Sequence, residues 1–194
     1  PRVVQSYDRF FRVVLADALF FNAPFFNLCL GLGKEVITVL KDEDRVLFED
    51  ALGVFSLTAP QVWEEPNQKI QAWDAEGFTS AEGIQVPLRV LRTEEVITRR
   101  HHQGQGWIQK KETHHWERVP TLPAARLSTR LLWQIGHGRW EIENDLFHTL
   151  ATYWALDHCF RHEPTAILNF ILTLFIAFVL LQSFYVGNLK PQRR

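Results

Sequence analysis

The stretch FFRVVLADALFFNAPFFNLCLGLGKEVITVL, residues 10–40, decides the architecture. Residues 10–17 are a short apolar run rich in β-branched side chains, as in a strand buried on both faces, and the run ends on a carboxylate, Asp17. Asn22 and Pro24 then open a helix expected over 25–32, with Pro tolerated in the first turn and Gly33 as the stop. Residues 35–40, EVITVL, read as a second strand. Strand, helix and strand in this spacing fit a parallel pair, and Asp17 falls at a strand's C-terminal end, where α/β proteins place their sites.

Beyond Lys41 the character changes. Residues 42–52 are charged and expected to be helical, and 55–121 is β-rich, with strand-like pieces at 86–91 and 95–99 and a loose His- and Gly-rich loop at 101–106. From Ser128, a good N-cap, a helical pattern runs through 150, weakened by Gly136 and Gly138 by about 1 kcal/mol each. Two glycines just ahead of a carboxylate suggest close approach of backbone or ligand; a simple kink is the alternative. Residues 166–186 carry no charge, and at 1.5 Å per residue a run of that length spans a bilayer core of about 30 Å. Asn169, Thr173, Gln182 and Ser183 interrupt it, and Pro164, Gly187 and Pro191 bracket it as they would a helix in a globular core.

With 46% hydrophobic and 22% charged residues in 194, the chain has the makeup of a globular protein with one sizeable core. It holds no methionine and starts Pro1-Arg2-Val3, so it is read as part of a longer protein; no secretory leader opens it. Cys29 and Cys159 are expected to be ordinary thiols rather than a disulfide. A formal net charge of -1 gives no global attraction to nucleic acid, so any such contact must be local. His148, His158, Cys159 and His162 gather in one region, but their spacing fits no tight zinc module. No Gly-rich phosphate loop or nucleophile elbow is present.

The most informative motif is Arg139-Trp-Glu-Ile-Glu143-Asn144, followed by Phe147. On a helix Arg139 and Glu143 share a face, which by itself describes a surface ion pair. The pattern also resembles the third-carboxylate helix of DDE-type transposases of bacterial insertion sequences, in which an arginine precedes the catalytic glutamate by four residues. Residues 15–25, LADALFFNAPF, are similar to that family's second-aspartate segment, and Val39-Leu40-Lys41-Asp42 to the strand and turn that follow. Trp154-Ala155-Leu156-Asp157-His158 and the apolar helix after it resemble the family's C-terminal end. Two positions depart from the pattern: Gly136 stands where a tyrosine is common and Leu150 where a lysine is common.

The resemblance implies an α/β, RNase H-like fold, here partial. Residues 1–54 would form part of the core, 55–121 a β-rich insertion, and 122–194 the C-terminal helices that carry the glutamate. It implies metal-dependent cleavage of DNA and strand transfer by a 3′-hydroxyl, with Asp17 and Glu143 as catalytic ligands of a two-metal Mg²⁺ (or Mn²⁺) site. Arg139 would contact a DNA phosphate or orient Glu143, and Asn144 would contact DNA. Lys41, at a strand end near the sheet's active edge, and Lys190, in a short basic tail with Arg193 and Arg194, are further candidates for DNA contact, with an ordinary solvated side chain as the alternative for each. No residue of this chain takes the place of the first aspartate; Asp8 is the only acidic residue ahead of Asp17, so the chain alone is expected to be inactive. The partners implied are transposon ends and target DNA, and a second copy of the full-length protein. A cytoplasmic, nucleoid-associated bacterial protein without a membrane is expected. A tail-anchored membrane protein spanning at 166–186 and a non-catalytic transposase remnant are the rival readings.

Overall fold

The computed structural model of the 194-residue chain describes residues 2–41, 45–103, 106–158 and 160–189. Its contacts divide it into two compact units, Pro1–Arg139 and Trp140–Arg194.

The first unit is a mixed α/β sandwich around a six-stranded sheet. A short helix α1 (Arg2–Tyr7) leads into β1 (Val13–Ala16), α2 (Ala23–Gly31), β2 (Glu35–Val39) and α3 (Val46–Phe55). Four further strands follow: β3 (Gln61–Glu65), β4 (Gln68–Phe78), β5 (Leu88–Gln103) and β6 (Gly106–Pro120). The strand order is β1-β2-β6-β5-β4-β3. β1 and β2 are parallel, with Val14 opposite Val36. Every other neighbour is antiparallel, and β6 joins β2 through Thr38↔Val119 and Val39↔Arg118. The β-rich segment therefore extends the same sheet that holds Asp17.

Local chemistry explains the first elements. Asn22 caps α2, its side chain accepting from the Phe25 N–H at 3.0 Å, and Gly33 takes φ +69° beyond the helix end, where a side chain would be strained. Alternation along the strands then feeds two cores. On one face Phe26, Cys29, Leu47, Ala51 and Phe55 of α2 and α3 pack against Val36, Leu88, Val90 and Val119. On the other, Leu132 and Trp133 of α4 (Thr129–Glu141) pack against Ile37, Ile70, Ala72 and Leu91. Burial raises the pKa of the free Cys29 thiol; Cys159 lies outside the described residues.

Two expectations are corrected here. The strand pieces at 86–91 and 95–99 are one continuous strand, β5, and the loop expected at 101–106 is the end of a hairpin: β5 runs to Gln103 and β6 starts at Gly106. The cross-strand ladder continues through His101↔Ile108 and His102↔Trp107. Sequence periodicity misses such a segment because His101 to Gly106, rich in His, Gln and Gly, carries no apolar alternation.

In the second unit a π-helical turn, Ile142–Phe147, leads into α5 (His148–Trp154). Ala155 in the left-handed conformation ends it, with the Leu156 N–H reaching back to the Leu150 carbonyl. The last helix is α6 (Pro164–Phe184). Trp154 packs edge-on to Phe178, and Phe160 to Phe170. The span Pro164–Asn188 is long and apolar enough to cross a membrane, with a mean hydropathy of 2.3, and only 6% of its most apolar window is buried.

Candidate active site

At the C-terminal ends of β1 and β2, an open cleft of ≈ 490 Å³ is lined by Asp17, Leu19, Val39, Lys41 and Arg45 among others. The parallel pairing creates it: both strands deliver their C-terminal ends to the same edge of the sheet. Asp17 sits directly after β1 and caps the short helical turn Ala18–Phe20, its Oδ1 accepting from the Ala18 N–H at 2.7 Å. Its Oδ2 makes no hydrogen bond among the described residues.

Lys41 follows β2 and is exposed. Arg45 comes back to the cleft just ahead of α3. Its Nη1 donates to the Phe21 carbonyl at 3.0 Å, and the guanidinium lies over the Phe21 ring, 4.8 Å from the centroid. One carboxylate thus faces two cations of the kind that receive phosphate oxygens. Asp17 offers one hard oxygen ligand suited to Mg²⁺ or Mn²⁺. Among the described residues no group of three or more His, Cys, Asp or Glu gathers to complete a metal site. Asp8 is spoken for elsewhere: its carboxylate and carbonyl both accept from Lys34 Nζ.

The other expected site residues fall differently. Arg139 is half-buried at the end of α4 and is not among the residues lining the cleft. Glu143 and Asn144 belong to the π-helical turn of the second unit; Asn144 is exposed, and the Glu143 side chain lies outside what is described. Lys190 lies outside the described residues. His158 packs edge-on against Phe160 with ring centroids 4.3 Å apart.

Sequence reasoning missed the polar framework that fixes α4. Thr129, Trp133 and His137 are spaced by four, so they share one helical face. Thr129 donates to Asp74 of β4 at 2.6 Å, and Asp74 in turn accepts from Nε and Nη2 of the buried Arg89 guanidinium. Trp133 Nε1 and His137 Nε2 both meet Glu95 Oε1 of β5 at 2.8 Å. Thr93 and Gln68 add bonds at 3.0 and 2.7 Å. Burial pushes the Glu95 pKa up, but the His137 bond and charge and the Trp133 and Thr93 bonds outweigh it and hold the carboxyl below its ordinary value. Arg118 lies beside this group, 1% exposed. Burial pulls its pKa down to about 10, against the pull of Glu95 and Glu117 and with a push from Arg139.

A six-stranded mixed sheet with helices on both faces and a carboxylate at the open end of a parallel strand pair defines an α/β protein with a strand-end site. A family model described as the transposase DDE domain matches residues 1–180, and the chain belongs to that family. No curated protein matches it. Membership implies transposition or nuclease chemistry on DNA, in a family that uses divalent metal ions.

Proposed function

We propose that this chain is the C-terminal catalytic portion of a DNA transposase, cutting a phosphodiester at an element end and joining the freed 3′-hydroxyl to target DNA. The observation that carries the reading is Asp17 at the end of β1, lining a cleft with Lys41 in a chain that matches the family over residues 1–180. In this reading β1, α2 and β2 are part of an RNase H-like core within 1–54, residues 55–121 are the β-rich insertion, and 122–194 are the helices that carry Glu143. Asp17 and Glu143 would each offer a carboxylate ligand to Mg²⁺ or Mn²⁺, and the ion would supply charge stabilisation at the scissile phosphate and the leaving oxygen.

The protein's own groups do the rest. Lys41 offsets phosphate charge in the cleft, Arg139 binds a phosphate or orients Glu143, and Asn144 and Lys190 contact the DNA backbone. No residue of the chain is assigned as the first aspartate, so little activity is expected from these 194 residues alone. The natural enzyme would act as a homodimer on paired ends in the bacterial cytoplasm, at the nucleoid.

The test is Mn²⁺-dependent nicking of DNA by the chain, alone and with the rest of its natural protein. Activity lost in Asp17→Ala and in Glu143→Ala supports the assignment; activity that survives both overturns it.

A second reading is favoured by one feature, the exposed apolar span Pro164–Asn188. It makes the chain a tail-anchored protein whose last helix lies in a bilayer. Co-flotation with vesicles in high salt would support it, and full solubility without detergent would remove it.

A further inference from the structure

We propose that the outer end of the β5–β6 hairpin is a basic arm that lies in the groove of duplex DNA; this rests on the DNA-acting reading above. The inner part of the hairpin belongs to the sheet, but its flanking strands stop early. β4 accompanies β5 only as far as Gln68↔Ile97, and β2 accompanies β6 only over Arg118 to Pro120. From Arg99↔Lys110 to Gln103↔Gly106 the ladder is two strands wide, with no third strand on either side among the described residues. Five pairs at about 3.3 Å per residue project about 17 Å from the sheet. A two-stranded ribbon is one of the few elements that the major groove, about 12 Å wide, admits.

Its charge suits that partner. Between Thr98 and Thr113 the sequence places Arg99, Arg100, Lys110 and Lys111 against one carboxylate, Glu112, in a chain whose net charge is -1. Arg99 and Lys110 are 59% and 63% exposed, and Lys111 is exposed. Neighbouring strand residues point to opposite faces, so Lys110 and Lys111 give each face of the ribbon a cation. Glu112 does not neutralise the arm: it is shared between Lys110 at 2.9 Å and Arg99 at 3.8 Å. The contact with nucleic acid that the overall charge requires to be local is local here. A ribbon with no third strand beside it among the described residues would otherwise invite pairing with other chains, and the exposed Arg99, Lys110 and Lys111 oppose that.

The test measures binding of the full chain to a short duplex of random sequence by fluorescence anisotropy across a salt series, for the wild type and for Arg99→Gln/Lys110→Gln/Lys111→Gln. Because these side chains are exposed, the variant should keep its thermal midpoint. Its affinity should fall about tenfold or more at low salt, and the slope of log affinity against log salt should shrink by about one for each phosphate that the arm no longer neutralises. Wild-type binding that the triple variant reproduces in affinity and slope overturns the arm and leaves the transposase reading standing. Unchanged DNA affinity together with a change in self-association assigns the ribbon to a protein contact and equally overturns it. Failure of the wild type to bind any duplex overturns both readings. Asp17→Ala separates them from the other side: in the chain joined to the rest of its natural protein it should abolish nicking, while the salt slope stays as in the wild type.

Discussion

The Arg118 side chain occupies the space that a Cβ on Gly136 would need: its Cζ lies 2.9 Å from that position, with Nε and Cδ closer still. A residue of β6 thus dictates a glycine in α4, and the Gly136 that departs from the family's common tyrosine has a packing cause. Gly138, two residues on, has nothing within 4 Å of its Cβ position. Gly136→Ala should therefore cost about 1–3 kcal/mol through overpacking, whereas Gly138→Ala should stabilise by about 0.5–1 kcal/mol through helix propensity. Urea unfolding of the two variants decides it; equal effects at both positions would remove the role given to Arg118.

Arg118 itself is buried, and its three guanidinium nitrogens make no hydrogen bond among the described residues. Glu95 is satisfied without it, by His137, Trp133, Thr93 and Gln68. Desolvation of the cation is thus offset only by the more distant carboxylates and by the Trp116 ring, 5.7 Å away. Replacing such a group by an apolar side chain of similar length is often neutral or stabilising. Arg118→Met should change stability by less than about 1 kcal/mol in the unfavourable direction. A loss well beyond that, in the same denaturant measurement, would make the Arg118–Glu95 attraction a main support of the α4 face.

Glu95 carries the opposite expectation. Its carboxyl is held below the ordinary 4.5 because the bonds and charge from His137, with Trp133 and Thr93, overcome the upward push of burial. A folded pKa below the unfolded one gives stability that is fully present above pH 4.5 and is lost as the pH falls through the folded value. Glu95→Gln should cost about 1–3 kcal/mol at pH 7. It should also flatten the acid side of the stability profile, so that variant and wild type converge below the ordinary carboxylate range. Parallel curves at every pH would deny Glu95 this role.

How far the sequence reveals these features depends on how local their causes are. β1, α2 and β2 are set by neighbours within a few residues: a β-branched run, an Asn cap, a Pro in the first turn and a glycine stop. The spacing of Thr129, Trp133 and His137 is visible too, but not its meaning. Their partners Asp74 and Glu95 lie 55 and 38 residues away along the chain from Thr129 and Trp133, on strands whose register only the folded sheet fixes. Arg45 reads in sequence as one more charge at the start of a polar helix; what ties it to the cleft is its bond to the Phe21 carbonyl and its place over the Phe21 ring, 24 residues back along the chain. Asp17 and Lys41 need no such turn, since each follows the end of one of two adjacent parallel strands. Glu143 rests on resemblance to the family, and Lys190 on its place in a short basic tail that lies outside the described residues.

Asp17→Asn is the substitution that isolates charge from shape in the cleft. The amide oxygen keeps the cap on the Ala18 N–H, which lies 2.7 Å from Oδ1, so stability should stay within about 0.5 kcal/mol of wild type. The carboxylate that faces Lys41 and Arg45 across the cleft is gone, which removes a repulsion toward phosphate and a ligand for a divalent ion. DNA affinity measured without divalent metal should therefore stay level or rise, while Mn²⁺-dependent nicking by the chain joined to the rest of its natural protein should fall by about a hundredfold or more. The two readouts move in opposite directions only if Asp17 acts on the metal. A parallel loss of binding and nicking would instead make it a structural cap whose removal disturbs the cleft, and unchanged nicking would take it out of the reaction.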